Sequence, residues 1–209
     1  VQAPLAPVPI RVRKRVWTDV ARILSTVCNP FLTSLALFVI LAGARSNGSR
    51  DFLVLLFNSA FFTSIAPMLF IFFLYATDRI SDLDMSIRTE RERVFIAFVV
   101  FYAVGAFDLW LIRAPAIMTA SMAGYAASAL VVQWITRYWK ISTHALGITA
   151  PLVALTVLYG GRPAPFYALI PLVGWSRVYL RAHTLLQVVA GTLLALLTTL
   201  LFFRVFHVV

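Results

Sequence analysis

Residues 52–75 read FLVLLFNSAFFTSIAPMLFIFFLY, twenty-four consecutive positions without a charged side chain. Coiled as an α-helix, that run rises about 36 Å, more than the roughly 30 Å of hydrocarbon in a bilayer. It is one of seven apolar stretches, at 24–43, 52–75, 94–112, 114–136, 144–160, 165–180 and 184–206. They leave the chain 61% hydrophobic and only 12% charged. A soluble domain of 209 residues has no interior large enough to hide so much apolar surface, so the expected solvent is lipid. Backbone groups in lipid must be satisfied within the chain. None of the stretches alternates polar and apolar positions as a barrel strand would, so each is expected to be a helix. The expected fold is an all-α integral membrane protein, a single bundle of six to seven transmembrane helices. The lower number applies if 165–180, which is short and carries Pro165 and Pro171, does not cross.

The polar segments are uneven. Residues 1–23 form a basic N-terminal tail, with three prolines in the first nine positions and no apolar centre of the kind a cleaved signal needs. The membrane domain is expected to cover 24–209. If all seven stretches cross, the segments at 76–93, 137–143 and 176–183 share one face with Arg11, Arg13, Lys14, Arg15 and Arg22. That face carries thirteen of the eighteen Lys and Arg residues, so the positive-inside rule assigns it and the N-terminus to the cytoplasm. The net charge of +10 favours anionic headgroups and phosphorylated substrates. Because the cations are scattered among spans, with no soluble face to gather them, nucleic acid is not expected as a partner. Cys28 is the sole cysteine, which excludes an intrachain disulfide and leaves it a packing role.

Two of the three histidines stand at span edges among groups that suit phosphate. One edge is Lys140-Ile141-Ser142-Thr143-His144; the other is Ser176-Arg177 followed by His183, with Arg181 between. Ser142 and Thr143 are good caps for a helix opening at His144. A helix N-terminus presents unpaired N–H groups and the positive end of its dipole. Arginine adds a planar, always-charged fork matched to phosphate oxygens. Beside such a cradle one imidazole can attack phosphorus while a second protonates the departing oxygen. Arg177 and Arg181, four apart, would share a helix face.

These residues resemble the phosphatidic acid phosphatase type 2 family, whose signatures are K-x6-R-P, P-S-G-H and S-R-x5-H-x3-D. Ser176-Arg177, five residues and His183 reproduce the third, with Gln187 where the family has Asp. Ile141-Ser142-Thr143-His144 keeps the Ser and His of the second. The nearest counterpart of the first is the Arg88, Arg91, Arg93 cluster, from which Arg88 and Arg91 carry over. The resemblance covers about the last two-thirds of the chain and implies a chloroperoxidase-like helical core. It implies a membrane phosphatase that acts on a lipid phosphate or (poly)prenyl diphosphate without a cofactor or metal. His183 would be the nucleophile that forms a phosphohistidine, and His144 the general acid. Arg177, Ser142, Thr143, Lys140, Arg88 and Arg91 would hold the phosphoryl oxygens. Gln187 would accept the imidazole hydrogen bond, without the charge of the family's Asp.

Plainer readings stand beside these. Thr184-x-x-Gln187 has the form of a helix capping box, and Thr89-x-x-Glu92 has the same form ahead of the 94–112 stretch. The Arg88–Arg93 cluster also reads as a solvated collar facing lipid headgroups. Asp78-x3-Asp82 with Asp84 raises UbiA-type prenyl transfer, but that chemistry needs a second aspartate-rich motif to hold Mg²⁺. A third function is a catalytically silent subunit of the same fold, packed against partner proteins in a larger membrane complex. Gln187 and the altered second signature favour it.

Overall fold

The computed structural model describes residues 10–83 and 87–209, and the side chains of all of these except 10–14 and 88. Helices account for about four-fifths of the described chain. In order they are α1 (Ile10–Val27), α2 (Pro30–Arg45), α3 (Ser49–Ala60), α4 (Ala66–Ala76), α5 (Arg88–Leu111), α6 (Ala116–Thr136), α7 (Thr143–Tyr159), α8 (Leu169–Tyr179) and α9 (Leu185–Val205). A π-helical turn at Phe61–Ile65 joins α3 to α4, and a 3-10 turn at Ala164–Ala168 leads into α8.

Four helical rods are long and apolar enough to cross a membrane: Ser49–Ala76, Thr89–Leu111, Ala116–Thr136 and Leu185–Val205. A fifth results if α1 and α2, bent by 47° at their junction, count as one broken span. The fold is therefore a helical bundle with the make-up of a multi-pass membrane protein. The expected 24–43 stretch is not one helix. Asn29 precedes Pro30, whose ring disfavours helical backbone at the residue before it. Asn29 accordingly adopts extended backbone (ψ 139°), and its side chain accepts the Phe31 N–H at 2.9 Å to cap α2. The helix ahead of this break starts at Ile10, so the expected boundary between tail and domain at residue 23 falls inside α1. The 165–180 stretch also departs from a single helix, being a 3-10 turn followed by only eleven residues of α8.

The interior is built around α7. At seventeen residues it rises only about 25 Å, yet residues from His144 to Ala154 are buried almost without interruption. It packs against α9, α2 and α8, while α5 pairs with α6 and α6 with α9. Two glycines allow the closest approaches. A Cβ on Gly147 would lie 2.9 Å from the backbone of Pro30, and one on Gly191 would lie 2.3 Å from the Ser142 carbonyl oxygen. Gly147 thus seats the start of α2 against α7, and Gly191 lets α9 press on the turn that opens α7.

Candidate functional site

The segments carrying the motifs meet at one end of this bundle. Between α7 and α9, the N–H of Ser142 donates to the Gln187 carbonyl oxygen at 3.1 Å. Ser142 caps α7, its Oγ accepting from the Ala145 N–H at 3.3 Å. From α5, an Arg91 amino group donates to the Ile141 carbonyl oxygen at 2.9 Å. Its guanidinium also lies over the Phe95 ring, 5.2 Å from the centroid. One arginine therefore ties the first motif segment to the second.

The third motif is shaped by how α8 ends. Arg181 sits in the left-handed region (φ 56°), and the Arg177 carbonyl accepts from both Ala182 N–H and His183 N–H, at 3.0 and 3.2 Å. This tight reversal returns His183 to the neighbourhood of Arg177. It also corrects the expectation that Arg177 and Arg181 share a helix face, because α8 stops at Tyr179. The guanidinium of Arg177 donates to Ser25 Oγ of α1, so the helix that begins in the presumed tail forms part of this region.

Arg91, Thr143, His144, Arg177 and His183 all line one cavity of about 100 Å³. Both histidines and both arginines are more than nine-tenths buried. None of the described side chains lining the cavity is acidic. Two guanidiniums and two imidazoles among its lining residues are groups of the kind that suit an anion. Below them the wall turns aromatic, through Phe31, Phe95, Phe98, Tyr102 and Tyr125.

The tautomer of His183 follows from its neighbours. Gln187 Oε1 accepts the Thr184 backbone N–H at 3.1 Å and lies 3.0 Å from His183 Nδ1. A backbone N–H can only donate, so the shared amide atom is the oxygen, and His183 must carry its proton on Nδ1. Nε2 is left with its lone pair. Burial holds the ring's pKa down at about 4, reinforced by Arg91, while the Gln187 hydrogen bond acts the other way and Arg177 and Lys140 push it lower. At neutral pH His183 is an uncharged base with Nε2 available.

The remaining expected site residues sort clearly. Lys140 is close enough to act electrostatically on His183 but is not part of the cavity wall. Ser142 is fully buried and engaged as the α7 cap; it shapes the turn instead of lining the cavity. The side chain of Arg88 lies outside the described residues, as does Asp84 of the aspartate cluster. The Thr184–Gln187 capping box is present in full. Thr89 and Glu92 do not form the second one, because α5 starts earlier, at Arg88 with Ile87 as its cap; Glu92 instead pairs with Arg137 at 2.9 Å. Ser25, Asn29 and the aromatic wall were not singled out from the sequence. The Asn29-Pro30 pair, a capping residue followed by a favoured first-turn proline, was the available signal for one of them.

No family model matches the chain, and neither does any curated protein or solved structure compared with it. The case for function therefore rests on these residues and their arrangement.

Proposed function

We propose that the chain is an integral-membrane phosphatase of the phosphatidic acid phosphatase type 2 kind, hydrolysing a lipid phosphate or prenyl diphosphate. The observation that carries this reading is one buried cavity shared by His144, His183, Arg91 and Arg177. The phosphoryl group sits between the two guanidiniums and the opening turn of α7, with Thr143 at its side. His183 Nε2 attacks phosphorus as the bond to the leaving oxygen breaks, and His144 gives that oxygen a proton. Water then attacks the phosphohistidine, His144 takes its proton, phosphate leaves and both rings return to their starting state. Histidine and arginine supply nucleophile and charge stabilisation, so no step calls for a metal ion. With α7 and the segment from 164 to 179 as further crossings, the bundle has the family's six to seven spans. The site and N-terminus then face the cytoplasm, within reach of anionic lipid.

The test is phosphate release by purified protein from dodecyl phosphate in mixed micelles with EDTA present. Release is expected in the wild type and is lost in His183→Ala. Undiminished release from that variant removes the nucleophile from the scheme.

One observation favours a second reading. The amide of Gln187 is shared between the capping box and the imidazole, and it brings no charge to stabilise a phosphoimidazolium. A silent subunit of this fold, held in a membrane complex, would release no phosphate from any lipid phosphate and would co-purify with its partners in fixed proportion.

A further inference from the structure

The break between α1 and α2 brings one more donor to the cavity. Asn29 lines it together with Arg91, His144, Arg177 and His183. Contacts on both sides carry it there. One turn earlier, the Ser25 hydroxyl accepts from Arg177, and the Ser25 backbone is hydrogen-bonded to the His144 ring. One residue later, Pro30 lies against Gly147, where an added Cβ would come within 2.9 Å of the proline backbone. Residue 29 is therefore pinned between the last turn of α1 and the first turn of α7.

The α2 cap fixes which way round the Asn29 amide sits. Its Oδ1 accepts the Phe31 N–H at 2.9 Å. A backbone N–H can only donate, so the engaged atom is the oxygen and the other is an NH2 group with two protons to give. Among the described residues that group makes no hydrogen bond, and it keeps accessible surface. The rest of the polar wall is accounted for in other ways. Thr143 already stands at the side of the phosphoryl group. Ser34 and Ser128 spend their hydroxyls on the Phe31 carbonyl at 3.1 Å and on Thr198 at 2.7 Å. Tyr102 follows Arg91 by eleven residues of α5, about 16 Å of rise, and the Tyr125 hydroxyl is sealed within the packing. The Asn29 amide is thus a donor at the Arg177 and His144 end that neither the packing nor the motif residues use.

Resting on the proposed phosphatase reading, we infer that Asn29 binds the phosphoryl group of the substrate, donating from Nδ2 to a charged oxygen. It adds a neutral donor to the two guanidiniums, from a part of the chain that none of the three signatures reaches. A cavity of about 100 Å³ has room for a phosphoryl group, the share of one water in the liquid being about 30 Å³. The plain alternative is that Asn29 only caps α2. Serine and aspartate cap a helix about as well as asparagine, so the two roles can be separated.

The experiment titrates butylphosphonate into full-length wild type, Asn29→Ser and Asn29→Asp in detergent, and records the thermal-unfolding midpoint of each. Phosphonates resist hydrolysis, so the result does not depend on turnover, and the short chain keeps the ligand out of micelles. Asn29→Ser is expected to bind about tenfold more weakly than wild type, through loss of one hydrogen bond to a charged group. Asn29→Asp is expected to lose at least a further tenfold, because a like charge then faces the ligand. Both midpoints are expected to stay at the wild-type value. Orthophosphate is titrated beside the phosphonate; the same order of the three proteins is expected, and the tighter ligand shows whether the site takes a headgroup or the free anion. Equal affinities in all three proteins overturn the inference, as does a wild type that binds neither ligand. An equal loss in both variants that accompanies a lowered midpoint assigns Asn29 to capping alone and also overturns it. The expected order of affinities without phosphate release from dodecyl phosphate by the wild type keeps the Asn29 contact and removes the phosphatase. Phosphate release with equal affinities in the three proteins does the reverse.

Discussion

Replacing Gln187 by Glu tests the catalytic scheme at its weakest point. The side chains are nearly isosteric, and both hydrogen bonds made by Oε1, from His183 Nδ1 at 3.0 Å and Thr184 N–H at 3.1 Å, can pass to a carboxylate oxygen. What changes is one negative charge beside the imidazole. With charge centres ~4 Å apart and an effective dielectric near 20, the attraction for an imidazolium or phosphoimidazolium is about 4 kcal/mol. Desolvation of the new carboxylate opposes it. If about half survives, roughly 2 kcal/mol remains, which is about thirtyfold in rate. The same energy raises the His183 pKa from its present value of about 4 by about 1.5 units. The assay is initial phosphate release from dodecyl phosphate micelles across pH 3–8, for wild type and Gln187→Glu. The expected result is a faster variant whose acid limb moves toward neutral pH. A variant with unchanged kcat and unchanged acid limb refutes the assignment of His183 as the charge-developing nucleophile.

Three further outcomes are expected. His183 attacks only when unprotonated and its pKa is depressed to about 4, so the acid limb of wild-type kcat/KM should be centred near that value and fall tenfold per pH unit below it, the alkaline side being set by loss of the His144 proton; an acid limb centred near 6.5 in kcat/KM for a non-titrating phosphodiester counts against the buried, cation-flanked base. Gly191→Ala should destabilise the protein, since its Cβ would meet the Ser142 carbonyl at 2.3 Å; overpacking of about 1–3 kcal/mol outweighs the ~1 kcal/mol helix preference for Ala, and a thermal-unfolding midpoint equal to or above wild type would contradict this. Arg91→Met should raise KM for dodecyl phosphate at least tenfold, through loss of a guanidinium at the cavity and of the bond to Ile141, whereas an unchanged KM in salt titrations would place Arg91 outside the anion site.

Much of this arrangement was legible in the chain because span edges are set by long-range solvent demands that hydropathy records. The 52–75, 114–136 and 184–206 stretches correspond closely to the Ser49–Ala76, Ala116–Thr136 and Leu185–Val205 rods. Boundaries failed where local backbone chemistry outweighed hydropathy. Helix α5 begins at Arg88, ahead of its apolar run, because Arg and Glu are good helix formers. The break at Asn29 was written in the Asn-Pro pair but masked by the apolar residues on either side. Parity of crossings placed the three motif segments on one face, and His144, His183, Arg177 and Arg91 do share a cavity. Ser25 was beyond such reasoning, since its contact with Arg177 joins residues distant in the chain.

The junction between α1 and α2 bears on how the molecule can be handled. Trp17 packs edge-on against Trp175 at 5.9 Å, and eight residues later Ser25 takes up the Arg177 guanidinium. The leading segment is thus a brace, anchored on α8 at one point and touching the cationic mouth at another. Trimming it as a dispensable leader would leave α8 without its buttress and take the Ser25 hydroxyl away from Arg177, so shortened versions would be expected to lose ligand affinity before they lose their helical content.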